Sequence, residues 1–190
     1  MRGKIIMKIN IFIGAILAVI LVACTPQPST ITGQQQSGLE STTTEKFTDA
    51  AQTIDISEIQ AIAGQTVYIP VYSHIYFRNT QQAYNLASTL SIRNTDPNSP
   101  IIITSVSYYN TDGNLVKNYL DSALKMPPLA SMEFFIEQSN TSGGSGANFL
   151  VEWVSESAVS EPIMESVMIG VSGTQGLAFT SRGQVINNQP

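Results

Sequence analysis

The 190-residue chain contains one cysteine, one histidine and one tryptophan. A single cysteine excludes an internal disulfide and a thiolate metal cage, so a folded domain must be held by packing alone. A single histidine, His74, leaves a histidine metal site short of ligands, since it could combine only with carboxylates. It also gives any Ser-His-Asp hydrolase just one residue to use as base. Cations are scarce too: nine Lys and Arg face fourteen Asp and Glu, a net charge of −5. A chain so charged gains no counterion release on phosphates, which excludes nucleic acid as a partner. It is also repelled by anionic lipid headgroups. No run reaches the about 20 apolar residues that a membrane-spanning helix needs. No long segment has helical periodicity, and there is no internal repeat.

What is present starts at the amino end. Arg2, Lys4 and Lys8 precede Ile9–Ala23, an uncharged stretch in which only Asn10 is strongly polar. A basic start, a short apolar run and small residues at its end describe a secretory signal, and Met7 opens a second complete version of it. Leu21-Val22-Ala23-Cys24 resembles the lipobox of bacterial lipoproteins. The resemblance implies a diacylglyceryl group on the Cys24 thiol, cleavage before Cys24 and acylation of its new amine. A thiolate is the strong nucleophile this chemistry needs. The alternative is a buried cysteine in an uncleaved chain. Each buried methylene adds about 0.8 kcal/mol of membrane affinity, so several acyl chains would make the bilayer a stable partner. Thr25, not Asp, follows the cysteine, which leans towards the outer membrane and leaves the inner one open. Removing the leader leaves six basic residues against fourteen acidic, a net charge of −8.

The expected organisation is a signal at 1–23, a tether at 24–55, one β-domain at 56–187 and a tail at 188–190. Residues 25–46 hold two sizeable apolar side chains, Ile31 and Leu39, too few to offset the entropy of ordering. Residues 53–62 read as an edge strand or a short helix. From Gly64 onward the period is close to two. One strand is expected over 66–77, at an edge or bulged because Pro70 cannot donate to a ladder. Others follow over 84–94, 101–110, 115–120, 131–137, 148–155, 166–172 and 176–186. In 131–137, Met132, Phe134 and Ile136 share one face, and in 148–155 so do Phe149, Val151 and Trp153. Turn chemistry separates these runs at 94–100, 110–114 and 126–128. About eight short strands with regular turns indicate an all-β chain, an antiparallel immunoglobulin-like sandwich, with a small closed barrel as the alternative. The Cys-Trp-Cys signature of antibody domains is absent, so that likeness is one of architecture.

Few stretches carry chemistry. Gly143-Gly144-Ser145-Gly146-Ala147-Asn148 lacks the last glycine of a nucleophile elbow and the spacing of a dinucleotide fingerprint. It reads as a glycine turn between strands, or as a binding loop whose N–H groups meet an anion or a partner's carbonyl. His74 alternates with Tyr72 and Tyr76 and reads as a structural or surface histidine. Tyr68, Tyr72, Tyr76, Tyr84, Tyr108 and Tyr109 divide between core packing and an interface or sugar-binding face. Met164 and Met168 read as core fill rather than copper ligands. Glu133, Glu137, Glu152, Glu156, Glu161 and Glu165 read as the wet face of a sheet rather than a glycosidase pair. No cofactor is expected.

Several segments together, "VYIPVYSHIY", "LSIRNTDP", "ITSVSYY", "GGSGANF", "VMIG" and "SRG", resemble a bacterial family of small secreted proteins and lipoproteins. That family is a domain of unknown function, number 3124. The resemblance runs from about Val67 to Ile186 and implies one domain and an envelope location, but no activity. The family carries an acidic residue where this chain has Asn140, which puts a charge-dependent role of the loop in doubt. The glycine loop, His74 and Arg182 are its first positions to examine. Three functions follow: a non-catalytic envelope module that binds a protein or glycan, a hydrolase using Ser145 and His74, or a metal or small-ligand binder. Ser145 within hydrogen-bond reach of His74 would favour the second, and carboxylates converging on His74 the third.

Overall fold

A computed structural model describes residues 52–189. The signal, Cys24 and most of the tether lie outside the described residues. Within them the chain is all-β, with thirteen strands, a single 3-10 turn at Ile56–Glu58 and no α-helix. The strands are β1 (Gln52–Ile54), β2 (Ala63–Val71), β3 (His74–Phe77), β4 (Asn79–Asn85), β5 (Ala87–Arg93), β6 (Ile101–Tyr109) and β7 (Leu115–Asn118). They continue with β8 (Ala123–Met126), β9 (Ser131–Ile136), β10 (Ala147–Ser155), β11 (Ile163–Ser172), β12 (Gln175–Arg182) and β13 (Gln184–Gln189). All pairings are antiparallel. One sheet runs β1-β8-β6-β10-β2-β13, with β7 also on β6; a second runs β12-β11-β5-β9; β3 and β4 form a separate hairpin. Neither large sheet closes on itself, so the chain is a sandwich and not a barrel.

The core lies between the sheets because each strand places alternate side chains on one face. Val67, Ile69, Phe149, Val151 and Trp153 from the first sheet meet Leu90, Ile92, Met132, Phe134 and Met164 from the second. All are at least nine-tenths buried. β9 shows the expected alternation, with Met132, Phe134 and Ile136 buried and Glu133 and Phe135 exposed. Met164 and Met168 are buried core residues. In β6 the alternation slips. Trp153 pairs with Ile103 but Glu152 with Ser105, so Thr104 is an extra residue, a β-bulge that lets both Ile103 and Val106 face inward.

Several boundaries differ from the sequence reading, each for a tertiary reason. β1 lies in the segment assigned to the tether and pairs with β8, because Ile54 and Ile59 cover a small cluster of Ile102, Ala123 and Val154. β13 runs into the tail, pairing Gln189 with Gly64. The 66–77 run is two strands in different sheets, broken at Tyr72-Ser73. Pro70 sits in a strand with neighbours on both sides, but β13 pairs with β2 only as far as Tyr68, so beyond that point β13 needs no donor there. The 84–94 run breaks at Leu86, and 176–186 at Gly183, where the chain passes from one sheet to the other. A Cβ on Gly183 would lie 2.8 Å from Val67 Cγ1 and 3.0 Å from Met164 O, so the crossing needs glycine.

Register places the loops at two ends. At one end, residues 94–100 form a polar hub. Asn94 Nδ2 donates to the carbonyls of Ser99 and Pro127 at 2.9 and 3.0 Å. Buried Asp96 accepts N–H bonds from Asn98, Ser99 and Ser160 at 2.9, 2.8 and 3.0 Å. The Ser160 bond first, then those from Asn98 and Ser99, hold its carboxyl below the usual 3.8. A depressed folded-state pKa stabilises the fold above the unfolded value, and that stability is lost as pH falls through the folded pKa. Asp96→Asn should therefore lower the urea midpoint at neutral pH. The gap from wild type should narrow progressively once pH drops below 3.8.

Candidate functional site

The opposite end carries the glycine loop, the root of the β3–β4 hairpin and the β6–β7 and β11–β12 turns. Here β10 starts opposite the end of β2, pairing Ala147 with Val71, and opposite the end of β6, pairing Asn148 with Tyr109. Ser73, fully buried, ties the pieces together. Its N–H donates to Gly144 O at 2.9 Å, its carbonyl accepts from Leu86 N at 2.9 Å, and its hydroxyl lies 2.9 Å from Tyr108 Oη. Burial pushes the Tyr108 phenol up, against the opposing bond from Ser73.

The glycine loop is bound into this corner. Thr111 N donates to Gly143 O at 2.9 Å and Thr111 Oγ1 to the same oxygen at 3.0 Å. Gly146 N donates to Thr111 Oγ1 at 3.0 Å, and Gly144 N to Thr141 O at 3.2 Å. Two of the amides that an anion site would offer are thus engaged within the fold. Gly144 has φ +77°, which favours glycine. Gly143 is required by close approach: a Cβ there would overlap the Tyr108 hydroxyl and lie 2.7 Å from Ser73 Oγ. Asn148 lies in β10, between Pro70 of β2 and Tyr109 of β6.

The structure brings His74 to this end as well, at the start of β3, where its ring packs edge-on against Tyr76 at 5.4 Å. Tyr72 does not share that face; it turns to Phe179 at 5.7 Å. Among the described residues no hydrogen bond joins Ser145 to His74, and no group of three His, Cys, Asp or Glu side chains gathers as metal ligands. Arg182 is elsewhere. It ends β12 opposite Glu165, near Glu161 and Gly183, towards the end that carries the polar hub.

The feature that the sequence did not reveal is a cleft between the β3–β4 and β11–β12 hairpins. A cavity of about 330 Å³ is lined by Ile75, Phe77, Tyr84, Gln175, Gly176 and Leu177. A second, of about 230 Å³, is lined by Ala83, Tyr84, Asn85, Gln138 and Val171. Tyr84 lines both. Its ring rests on Gly170, where any Cβ would overlap it. The hairpin tip is strained: Arg78 has φ +69°, and its guanidinium lies 5.1 Å from the centre of the Phe77 ring. Tyr76 and Phe77 are 53% and 56% exposed, and Val171 across the cleft is 61% exposed. Large apolar side chains grouped at one end of a domain mark a recognition surface more often than chance.

The cleft lining is uncharged. Residues 59–95 and 166–190 contain no Asp or Glu, although the chain is acidic throughout the rest of the domain. The residues lining the two cavities include no carboxylate; Glu165 and Arg182 of the β11–β12 hairpin pair at its far end, and Arg78 is the charge at the tip of the other hairpin.

No curated protein matches the chain. Among solved structures, the crystal structure of Thermotoga maritima 1070 is similar at 13% identity with a TM-score of 0.36, over 63% of this chain and 92% of that one. A likeness that weak carries no argument. The family described as Protein of unknown function (DUF3124) matches residues 64–186, from the start of β2 well into β13. The match covers both sheets and the cleft, and the chain belongs to that family.

Proposed function

We propose that the protein is a lipid-anchored module of the bacterial envelope that recognises a protein or glycan partner without catalysing a reaction, and that the cleft between its two hairpins is where it binds. The observation that carries this reading is the uncovered aromatic and aliphatic surface around that cleft, on a domain whose other large apolar residues are mostly packed inside. The lipobox resemblance supports the anchor.

Cys24→Ser is expected to release the protein from the membrane fraction or leave it as uncleaved precursor, read by fractionation and mass. Processing and membrane retention like wild type would contradict the anchor. For recognition, a photo-crosslinking residue at position 77 in intact cells is expected to capture an envelope protein or glycan. A residue at exposed Phe135, on the outer face of the second sheet, should not. Equal capture from both positions, or none from 77, would contradict the cleft as the site.

A further inference from the structure

We infer that the cleft binds a glycan chain of N-acetylated hexosamines, with successive sugar rings seated on either side of Tyr84. This rests on the cleft being the recognition site, and it deepens that reading by naming the ligand.

The chemistry of the lining carries the inference. The larger cavity has an apolar floor, with Ile75 and Leu177 aliphatic and Phe77 and Tyr84 aromatic. An aromatic face packs against the apolar C–H face of a pyranose, and it buries a ring without needing charge. The polar groups at hand are amides: Gln175 in the larger cavity, and Asn85 and Gln138 in the smaller. Amides both donate and accept, as hydroxyls and an acetamido group require. An acetamido group adds a methyl for the aliphatic floor and an N–H and C=O for Gln175. No carboxylate lines either cavity, so the groups a cationic ligand would seek are missing from the lining.

The division of the cleft points the same way. The two cavities, of about 330 and 230 Å³, adjoin across one side chain, Tyr84. A repeating ligand matches two neighbouring seats that share a wall. The wall is fixed in advance, because Tyr84 rests on Gly170 and Gln138 Nε2 donates to Asn85 O at 3.0 Å beside it. Preorganisation of this kind reduces the entropy lost on binding.

The test uses the processed, lipid-anchored protein in detergent micelles, titrated with the hexamer of N-acetylglucosamine and with a glucose hexamer of the same linkage. Saturable binding of the acetylated hexamer is expected, with Phe77→Ala weakening it at least about tenfold and Phe135→Ala leaving it unchanged. Both side chains are just over half exposed, so neither change should unfold the domain. Equal binding of the two hexamers overturns the acetamido assignment. Binding that survives Phe77→Ala overturns the seat. If no sugar binds while position 77 still captures a protein in cells, the glycan is wrong and the recognition site stands. If neither occurs, both readings fall.

Discussion

Trp153→Ala is expected to lower stability by about 3–5 kcal/mol, the range for truncating a large buried aromatic. Trp153 is among the largest side chains that the fold buries, and it lies on the central strand β10 between β6 and β2. It packs with Phe134 and Met132 of the facing sheet in one cluster, so its removal opens a void that rigid neighbours on two sheets cannot close. Domains of this size have roughly 5–15 kcal/mol in total, so about a fifth or more of the stability is at stake. Urea unfolding followed by far-ultraviolet circular dichroism measures it, since the chain's single tryptophan is then gone as a fluorescent probe. A loss below about 1 kcal/mol would mean that the two sheets do not meet across this residue.

Gly143→Ala is the second large effect, and it separates two readings of the glycine loop. A flexible turn or a ligand-binding loop at the surface would accept a methyl group with little change. In the structure that methyl would overlap the Tyr108 hydroxyl. Tyr108 has no room to retreat: its ring is buried against Phe149 at 5.1 Å and its hydroxyl is engaged with Ser73. Overpacking of this kind costs about 1–3 kcal/mol and sometimes more. Because Ser73 also joins the loop to the hairpin root, the loss should be accompanied by faster amide exchange at Leu86, whose N–H bonds to Ser73 O. Gly113, also at positive φ but with open space around it, should accept Asn with a far smaller change. Equal costs at the two glycines would contradict the corner as described.

How far the residues alone could lead depends on where each feature's cause lies. β9 was legible because a local alternation sets its two faces, and the same holds for Phe149, Val151 and Trp153 in β10. The all-β class and the sandwich follow from many such runs. The breaks at Ser73 and Leu86 were not legible, because no proline or glycine marks them. They come from hydrogen bonds to Gly144 and between Ser73 and Leu86. The bulge at Thr104 escaped because β6 is apolar at three successive residues, which fits either register. β8 is four residues long and was too short to stand out. For the candidate site, "GGSGAN" drew attention by composition, and the structure gives each glycine a packing or backbone role. The cleft was invisible for the opposite reason. Tyr84 and Gly170 lie far apart in sequence and are ordinary residues of their strands until the fold stacks one on the other.

The proposed recognition surface is tested most directly by amide exchange on the full chain, compared between isolated bacterial envelope fragments and the purified protein in micelles. Slower exchange in the envelope is expected for residues 75–84 and 171–177, which form the cleft, with the 94–100 hub unchanged. Protection confined to the hub, or none in either region, would contradict the account.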